Sequence, residues 1–356
     1  MSNPSPRIEA ATDAASERPL ITFVVYAFNQ QGFVEQAVKA ALQQTYSPLQ
    51  VILSDDHSTD ATFSIIQEQA AAYSGPHSIF TNRTPYNLGT VDHLLELVPQ
   101  MKGELSVLAA GDDVSLPDRV QVLVDEWQQT GAWGLMSRCN VINQHGEIVQ
   151  HDVMMDMPSD SIRACFDHAV KLIHGATSAY DRRAFALLDP PPEQRILHED
   201  YPLSFLLNAM GKPIHFVDRT LVNYRQHEAS ITNAAVKEVT ATYIRDYENW
   251  ASVSAKSIRN ATAYFVKTYT PERHKINFAE LNRLLRFYDV ASDWMNSTFQ
   301  QRAAIFAAGG RTERRWLAPR IFGFRVFLVT KLAAYRVKRI LAAMPGRSAR
   351  NTATGN

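Results

Sequence analysis

The sequence predicts an α/β protein with a Rossmann-like, mostly parallel sheet and an α-helical C-terminal extension. Three observations carry that reading. Short apolar, β-branched runs alternate with segments of helical period from residue 21 to about 127. Two of those runs end in carboxylate pairs, Asp55-Asp56 and Asp112-Asp113, at the edge where open α/β sheets hold their ligands. Beyond about Ala235 the strand signals stop.

The elements follow in order. Ile21 to Phe28 reads as the first strand, and Asn29-Gln30-Gln31-Gly32 as a turn. Phe33 to Gln44 has the apolar spacing of a helix and stops at Ser47-Pro48. Val51 to Leu53 is the second strand. Ser58-Thr59-Asp60 is placed to cap a helix that carries Phe63, Ile66, Ala70 and Tyr73. Ser78 to Phe80 is a third strand, Asn87-Leu88-Gly89 a turn, and Val91 to Val98 a helix. Leu105 to Leu108 is the fourth strand. Pro117-Asp118 opens a helix through Trp127, with proline in the first turn, where its missing N–H costs little. Such an order implies parallel strands joined by right-handed crossovers.

From Trp133 the pattern changes. Strands at 134–137 and 147–149 flank an Asn-Gln-His-Gly turn, and a helix is expected over 161–173. His174 to Tyr180 is small and polar, as a pocket wall would be. A proline-rich loop leads to His198-Glu199-Asp200, a helix over 203–210 and a strand over 214–217. Helices at 242–255 and 278–294 represent the extension. The expected organisation is a disordered lead-in over 1–19, an α/β domain over 20–235, a helical extension over 236–310, a basic helical segment over 311–347 and a disordered tail over 348–356.

Composition narrows the function. The net charge is zero, so nucleic acid receives no support as a partner. Cys139 and Cys165 are too few for a disulfide framework and lack metal-site spacing, which fits a reduced cytosolic compartment. No run of about 18 apolar residues occurs, so no membrane-spanning helix is expected. No glycine lies between Leu20 and Gln31, which argues against a dinucleotide-binding fingerprint. The phosphate-binding loop G-x-x-x-x-G-K-[ST] is absent too. Phe28-Asn29 stands where a haloacid-type phosphatase would place D-x-D.

Four ordered segments resemble family-2 glycosyltransferases of the GT-A fold, over roughly residues 20–232. The first, Val24-Val25-Tyr26-Ala27-Phe28-Asn29, is similar to the family's strand-one ending, in which an aromatic before Asn stacks on the base. The second, Asp55-Asp56-His57-Ser58-Thr59-Asp60, resembles D-D-G-S-T-D, with His57 in the glycine position. It implies a uracil or thymine contact through Asp56, with Asp55 second. The third, Ala110-Gly111-Asp112-Asp113 with Pro117-Asp118-Arg119, resembles D-x-D-D and P-x-R, and Ala110 replaces the first Asp. It implies a divalent metal, Mn²⁺ or Mg²⁺, on Asp112, with Asp113 a second ligand or a sugar contact. The fourth, Glu199-Asp200, resembles the family's E-D and implies a general base at Asp200, or alternatively Glu199.

Tyr224-Arg225-Gln226-His227 is similar to the closing segment of the family. There His227 would meet the metal or a phosphate, and Arg225 the diphosphate. Asn87 and Gly89 resemble the donor-side turn, and Gly175 and Ala176 the acceptor wall. The implied activity is transfer of a sugar, with inversion, from a UDP- or dTDP-sugar to a glycan or lipid-linked acceptor in bacterial surface polysaccharide assembly. The alternative is a non-catalytic nucleotide-sugar-binding or scaffold module.

Residues 311–347 hold ten Arg and Lys, with Glu313 as their only acid, among many aromatic and aliphatic residues. Such a stretch suits the plane of an anionic membrane surface. That would place the chain at the inner face of the cytoplasmic membrane. Phe324, Phe327 and Leu332 fall near the basic arc, so two helices broken near Pro319 or Gly323 are expected. The competing reading is a helix packed on the protein with a solvated basic face.

Overall fold

A computed structural model describes residues 18–155, 163–166, 169–188, 200–227, 240–268 and 276–343. Within them runs a sheet of nine strands: β1 Ile21–Ala27, β2 Leu49–Asp55, β3 Ser78–Arg83, β4 Leu105–Ala110, β5 Val114–Ser115, β6 Gly134–Ile142, β7 Ile148–Val153, β8 Ser178–Asp181 and β9 Ile214–Arg225. The spatial order is β3-β2-β1-β4-β8-β6-β9-β5, with β7 on the far side of β6. Strands β1 to β4 are mutually parallel, and β8 enters antiparallel between β4 and β6.

Register brings the acidic ends level. Ala27 lies opposite Asp55, and Tyr26 lies opposite Ala110. Both carboxylate pairs therefore leave the sheet at one edge. Strand β9 pairs with the short β5, setting Val114 against Asn223, so the end of β9 returns to the Asp112-Asp113 turn.

Alternation along β1 feeds two cores. Phe23 and Val25 face α1 (Val34–Leu42) and α4 (Arg119–Thr130), while Val24 faces α3 (Thr90–Leu97). Burial on both faces explains why these strands read as continuous apolar runs. Helix α2 spans Thr62–Ala72. Ser58 does not cap it. Its Oγ accepts from the Asn29 N–H at 2.8 Å, and the Asp60 carboxylate takes the Thr62 N–H at 3.0 Å.

The helix expected over 161–173 is replaced, among the described residues, by irregular backbone from 169 to 174. Helix α6 (Asp200–Ala209, after the short α5, Arg182–Phe185) supplies the reason. Asn208 donates to the Lys171 carbonyl at 2.8 Å, and Ser204 Oγ accepts from the Ile173 N–H at 2.8 Å. Side chains of a neighbouring helix thus take the bonds that a local helix would have made. The strand expected over 214–217 runs on to Arg225, because β6 pairs with it to Ile142.

The C-terminal helices are α7 Ala241–Thr268, α8 Phe278–Ala291, α9 Phe299–Ala308, α10 Arg311–Leu317 and α11 Phe324–Ala343. Trp294 is fully buried beside Ile244 and Phe327, with Trp316 and Phe324 edge-on to it. Between α10 and α11 the chain turns through Pro319 and through Gly323, whose φ of 95° suits glycine.

Candidate active site

One cavity of about 470 Å³ opens at the strand edge. Its lining includes Phe28, Asn29, Asp56, Asn87, Gly89, Asp112, Asp113, Asp200, Arg225 and His227. Four segments far apart in sequence therefore meet as the motifs implied. Asp55 does not line the cavity, and Glu199 lies outside the described residues.

On one side is the end of β2. Asp56 accepts the N–H groups of Leu88 and Gly89, each at 2.8 Å, and the Thr84 hydroxyl at 3.0 Å. These bonds hold the Asn87–Gly89 turn against it. Asp55 points away from the cavity and is fully buried. It accepts the Ser58 N–H at 3.0 Å and lies 3.2 Å from Arg83. His57 takes φ +61°, a left-handed conformation that favours glycine. Asn29, also left-handed at φ +51°, accepts from the Thr59 N–H at 2.9 Å and ties the two loops together. Phe28 stands 43% exposed at the cavity mouth, free to stack.

On the other side is the end of β4. The Asp112 carboxylate lies 3.0 Å from His227 Nε2. Asp113 is turned inward and accepts the Arg225 N–H at 2.8 Å. Burial, with the Asp112 charge beside it, pushes the Asp113 carboxyl well up from its ordinary range. The Arg225 guanidinium donates to the carbonyls of Asp112, Asn143 and Gln144 and to Gln36. Four of its five N–H groups are thereby given to oxygens of the chain. It braces the turn from behind.

Asp200 opens α6. Its carboxylate accepts from the Tyr201 N–H at 2.7 Å and from the Gly175 N–H at 3.2 Å. The wall 174–178 is held in turn by Arg119, fully buried, which donates to the carbonyls of Leu108, Ala176 and Ser178 and to Ser115 Oγ. Burial lowers that guanidinium to about 10, against the pull of Asp113. Arg119 therefore joins the β4 end to the Asp200 side.

Sequence reasoning missed Tyr26, His93 and Tyr224 as lining residues. His93 was read as part of an apolar helix, and its spacing there gave no sign that Nε2 meets Ser54 Oγ at 2.6 Å. His174 stands edge-on to Tyr224 at 5.3 Å, and burial pushes its imidazole down while Asp200 pulls it up.

A divalent cation such as Mn²⁺ or Mg²⁺ needs several hard oxygen donors. Asp112 and His227 offer one hard oxygen and one nitrogen on the cavity side, and Ala110 offers neither. Among the described residues, no group of three or more His, Cys, Asp or Glu is placed to hold an ion. The set fits a cation shared with a bound diphosphate.

A mostly parallel sheet whose strand ends gather separated carboxylates into one cleft, with a further acid at a helix start, is the arrangement of the GT-A fold. Residues 22–188 match the model of glycosyl transferase family 2. An uncharacterized glycosyltransferase of Rickettsia typhi is 23% identical over 257 residues, 71% of this chain and 76% of that protein. A chondroitin synthase of Escherichia coli is 30% identical over 123 residues, 35% of this chain and 17% of that one. A mannosyltransferase from Pyrobaculum calidifontis, solved in complex with GDP-Man and Mn²⁺, has the same fold. It aligns with a TM-score of 0.50 at 17% identity, over 92% of this chain and 89% of that one.

Proposed function

We propose that the chain moves a sugar, with inversion, from a UDP- or dTDP-sugar to a hydroxyl of a glycan or lipid-linked acceptor. The observation that carries this is the convergence of Asp56, Asp112 and Asp200 on one cavity. Its size suits a nucleotide sugar rather than a macromolecule. Residues 20–235 form the transferase domain in this reading, with the helices beyond as an extension.

Asp56 accepts the ring N–H of the base while Phe28 stacks on it, with Asp55 behind as support. Asp200, or Glu199 beside it, takes the proton of the acceptor hydroxyl as its oxygen attacks the anomeric carbon. The bond from that carbon to the diphosphate oxygen breaks on the opposite side, which inverts the centre. Asp112 and His227 would hold Mn²⁺ or Mg²⁺, which offsets the charge of the departing diphosphate. Asp113 and Arg225 fix that turn. Similarity to a chondroitin synthase and the basic C-terminal segment support a role in surface polysaccharide assembly at the inner face of the cytoplasmic membrane.

Ala110, in place of the first acid of D-x-D-D, favours one other reading, a non-catalytic nucleotide-sugar-binding module. Turnover of UDP- and dTDP-sugars by wild type and Asp200→Asn separates the two. Loss of a general base removes about 10²–10⁴ in rate. Equal background turnover in both proteins, with donor still bound, leaves the binding module standing.

A further inference from the structure

Helix α11 has two apolar faces. Phe324, Phe327, Leu328 and Leu332 turn inward around Trp294, and Phe327 is only 1% exposed. The opposite side carries Val326, Val329 and Val337, which are 46%, 66% and 54% exposed. Phe322, just before the helix, is 69% exposed. Its ring stacks on Phe299, itself exposed, with centroids 6.0 Å apart. Positions 326, 329, 333 and 337 repeat at helical spacing, so these side chains form one outer stripe, with exposed Phe322 just outside the helix, beyond Gly323.

The charge around the stripe has one sign. Arg325 and Arg336 border it and are exposed. Glu313, the only acid from Arg311 to Ala343, is 1% exposed and lies 3.1 Å from Arg283. Arg320, by contrast, is drawn inward, where its guanidinium grips both oxygens of the buried Glu248 at 2.9 and 2.7 Å. The protein thus hides one cation of this segment and leaves Arg325 and Arg336 beside exposed valines and phenylalanines.

We propose that this outer face lies in the plane of an anionic lipid bilayer. Phe299, Phe322 and the valine stripe enter the acyl boundary, and Arg325 and Arg336 meet the lipid phosphates. Among the described residues no helix is long and apolar enough to cross a membrane, so the contact is parallel to the surface. Nucleic acid would engage the arginines and leave the valines in water. A lipid interface satisfies both groups at once. The proposal deepens the reading of a membrane-associated transferase by naming the face. The catalytic reading does not depend on it.

The test uses the full chain and sedimentation with vesicles, without donor or acceptor. Vesicles of phosphatidylcholine alone are compared with vesicles of equal parts phosphatidylcholine and phosphatidylglycerol. Wild type is expected on the anionic vesicles and largely off the neutral ones. Phe322→Ser with Val329→Ser is expected to weaken binding by about tenfold or more. Arg325→Gln and Arg336→Gln are each expected to weaken it by about fivefold, on anionic vesicles only. All four positions are exposed, so an unchanged melting temperature shows that the variants fold. Three outcomes overturn the proposal: no vesicle binding by wild type, binding untouched by the serine pair, or a wild-type dimer that the serine pair dissolves without vesicle binding. None of these bears on turnover by Asp200→Asn, so the two readings fail separately.

Discussion

The carboxylate pairs at the ends of β2 and β4 look alike in sequence and are opposite in surroundings. At β2 the first acid, Asp55, is buried and structural, and the second, Asp56, faces the cavity. At β4 the first acid, Asp112, faces His227, and the second, Asp113, is turned into the protein under the Arg225 N–H. The turn after each strand decides which member is which. After β2 the chain bends through left-handed His57 and directs the Ser58 N–H back onto Asp55. After β4 it enters β5, and pairing with β9 draws Asp113 inward. In the proposed function, each pair of adjacent acids divides into one support and one working group.

Substitution across the β4 pair should show the largest contrast. Asp112→Asn is expected to lower kcat by about 10³, the scale of losing a metal–diphosphate contact, with little change in melting temperature. Asp113→Asn keeps an oxygen for the Arg225 N–H and should leave most activity in place. Steady-state kinetics beside thermal melts decide the matter. Similar kcat losses in both variants would erase the distinction between the two acids.

At β2 the same division predicts a stability effect instead. Asp55→Ala leaves the Ser58 N–H without its acceptor in a buried place and removes the carboxylate beside the partly exposed Arg83. A loss of about 1–3 kcal/mol is expected by chemical denaturation. Asp56→Asn should instead raise the donor KM. A raised KM in Asp55→Ala with unchanged stability would reverse the assignment.

Much of this was legible in the sequence, because periodicity and strand-end acids are local signals. The β-α order came from residues that neighbour one another, whereas the convergence of the motifs and the preference for Asp56 over Asp55 were implied by the family resemblance. What could not be read is non-local. Arg225 is a brace because Gln36 and Asn143, far along the chain, reach it. Residues 169–174 are not helical because Asn208 and Ser204 claim their backbone. On a helical wheel Phe324, Phe327 and Leu332 disturb the basic arc. In the fold they are core, because Trp294 lies against that side.

The β4 side also makes a prediction about metal. With Asp112 and His227 as its protein donors, the site is half built until a diphosphate adds oxygens. Calorimetry should detect little Mn²⁺ binding to the free chain and at least about tenfold tighter binding once UDP is present. Equal affinity with and without nucleotide would mean that further protein ligands complete the site.

The smallest effect concerns the histidine attached to each pair. Both histidines line the cavity, but His227 lies beside Asp112, whereas His93 is buried on α3 and bonds Ser54. Burial lowers the His93 imidazole from its ordinary 6.5, more than Asp56 and Asp55 raise it. In the folded chain the ring is therefore neutral at pH values where the unfolded chain already binds a proton. By linkage, stability is complete above about pH 6.5 and falls as the pH drops below it. His77 and His174, also lowered by burial, act in the same direction. His93→Gln keeps a partner for Ser54 and removes at most one proton from that slope. Melting temperatures from pH 8 down to 5 should fall less steeply in the variant than in wild type. A steeper fall in the variant would mean that His93 takes up its proton more readily in the fold than in the unfolded chain, and the β2 pair would then rest on an ion pair rather than on a neutral support.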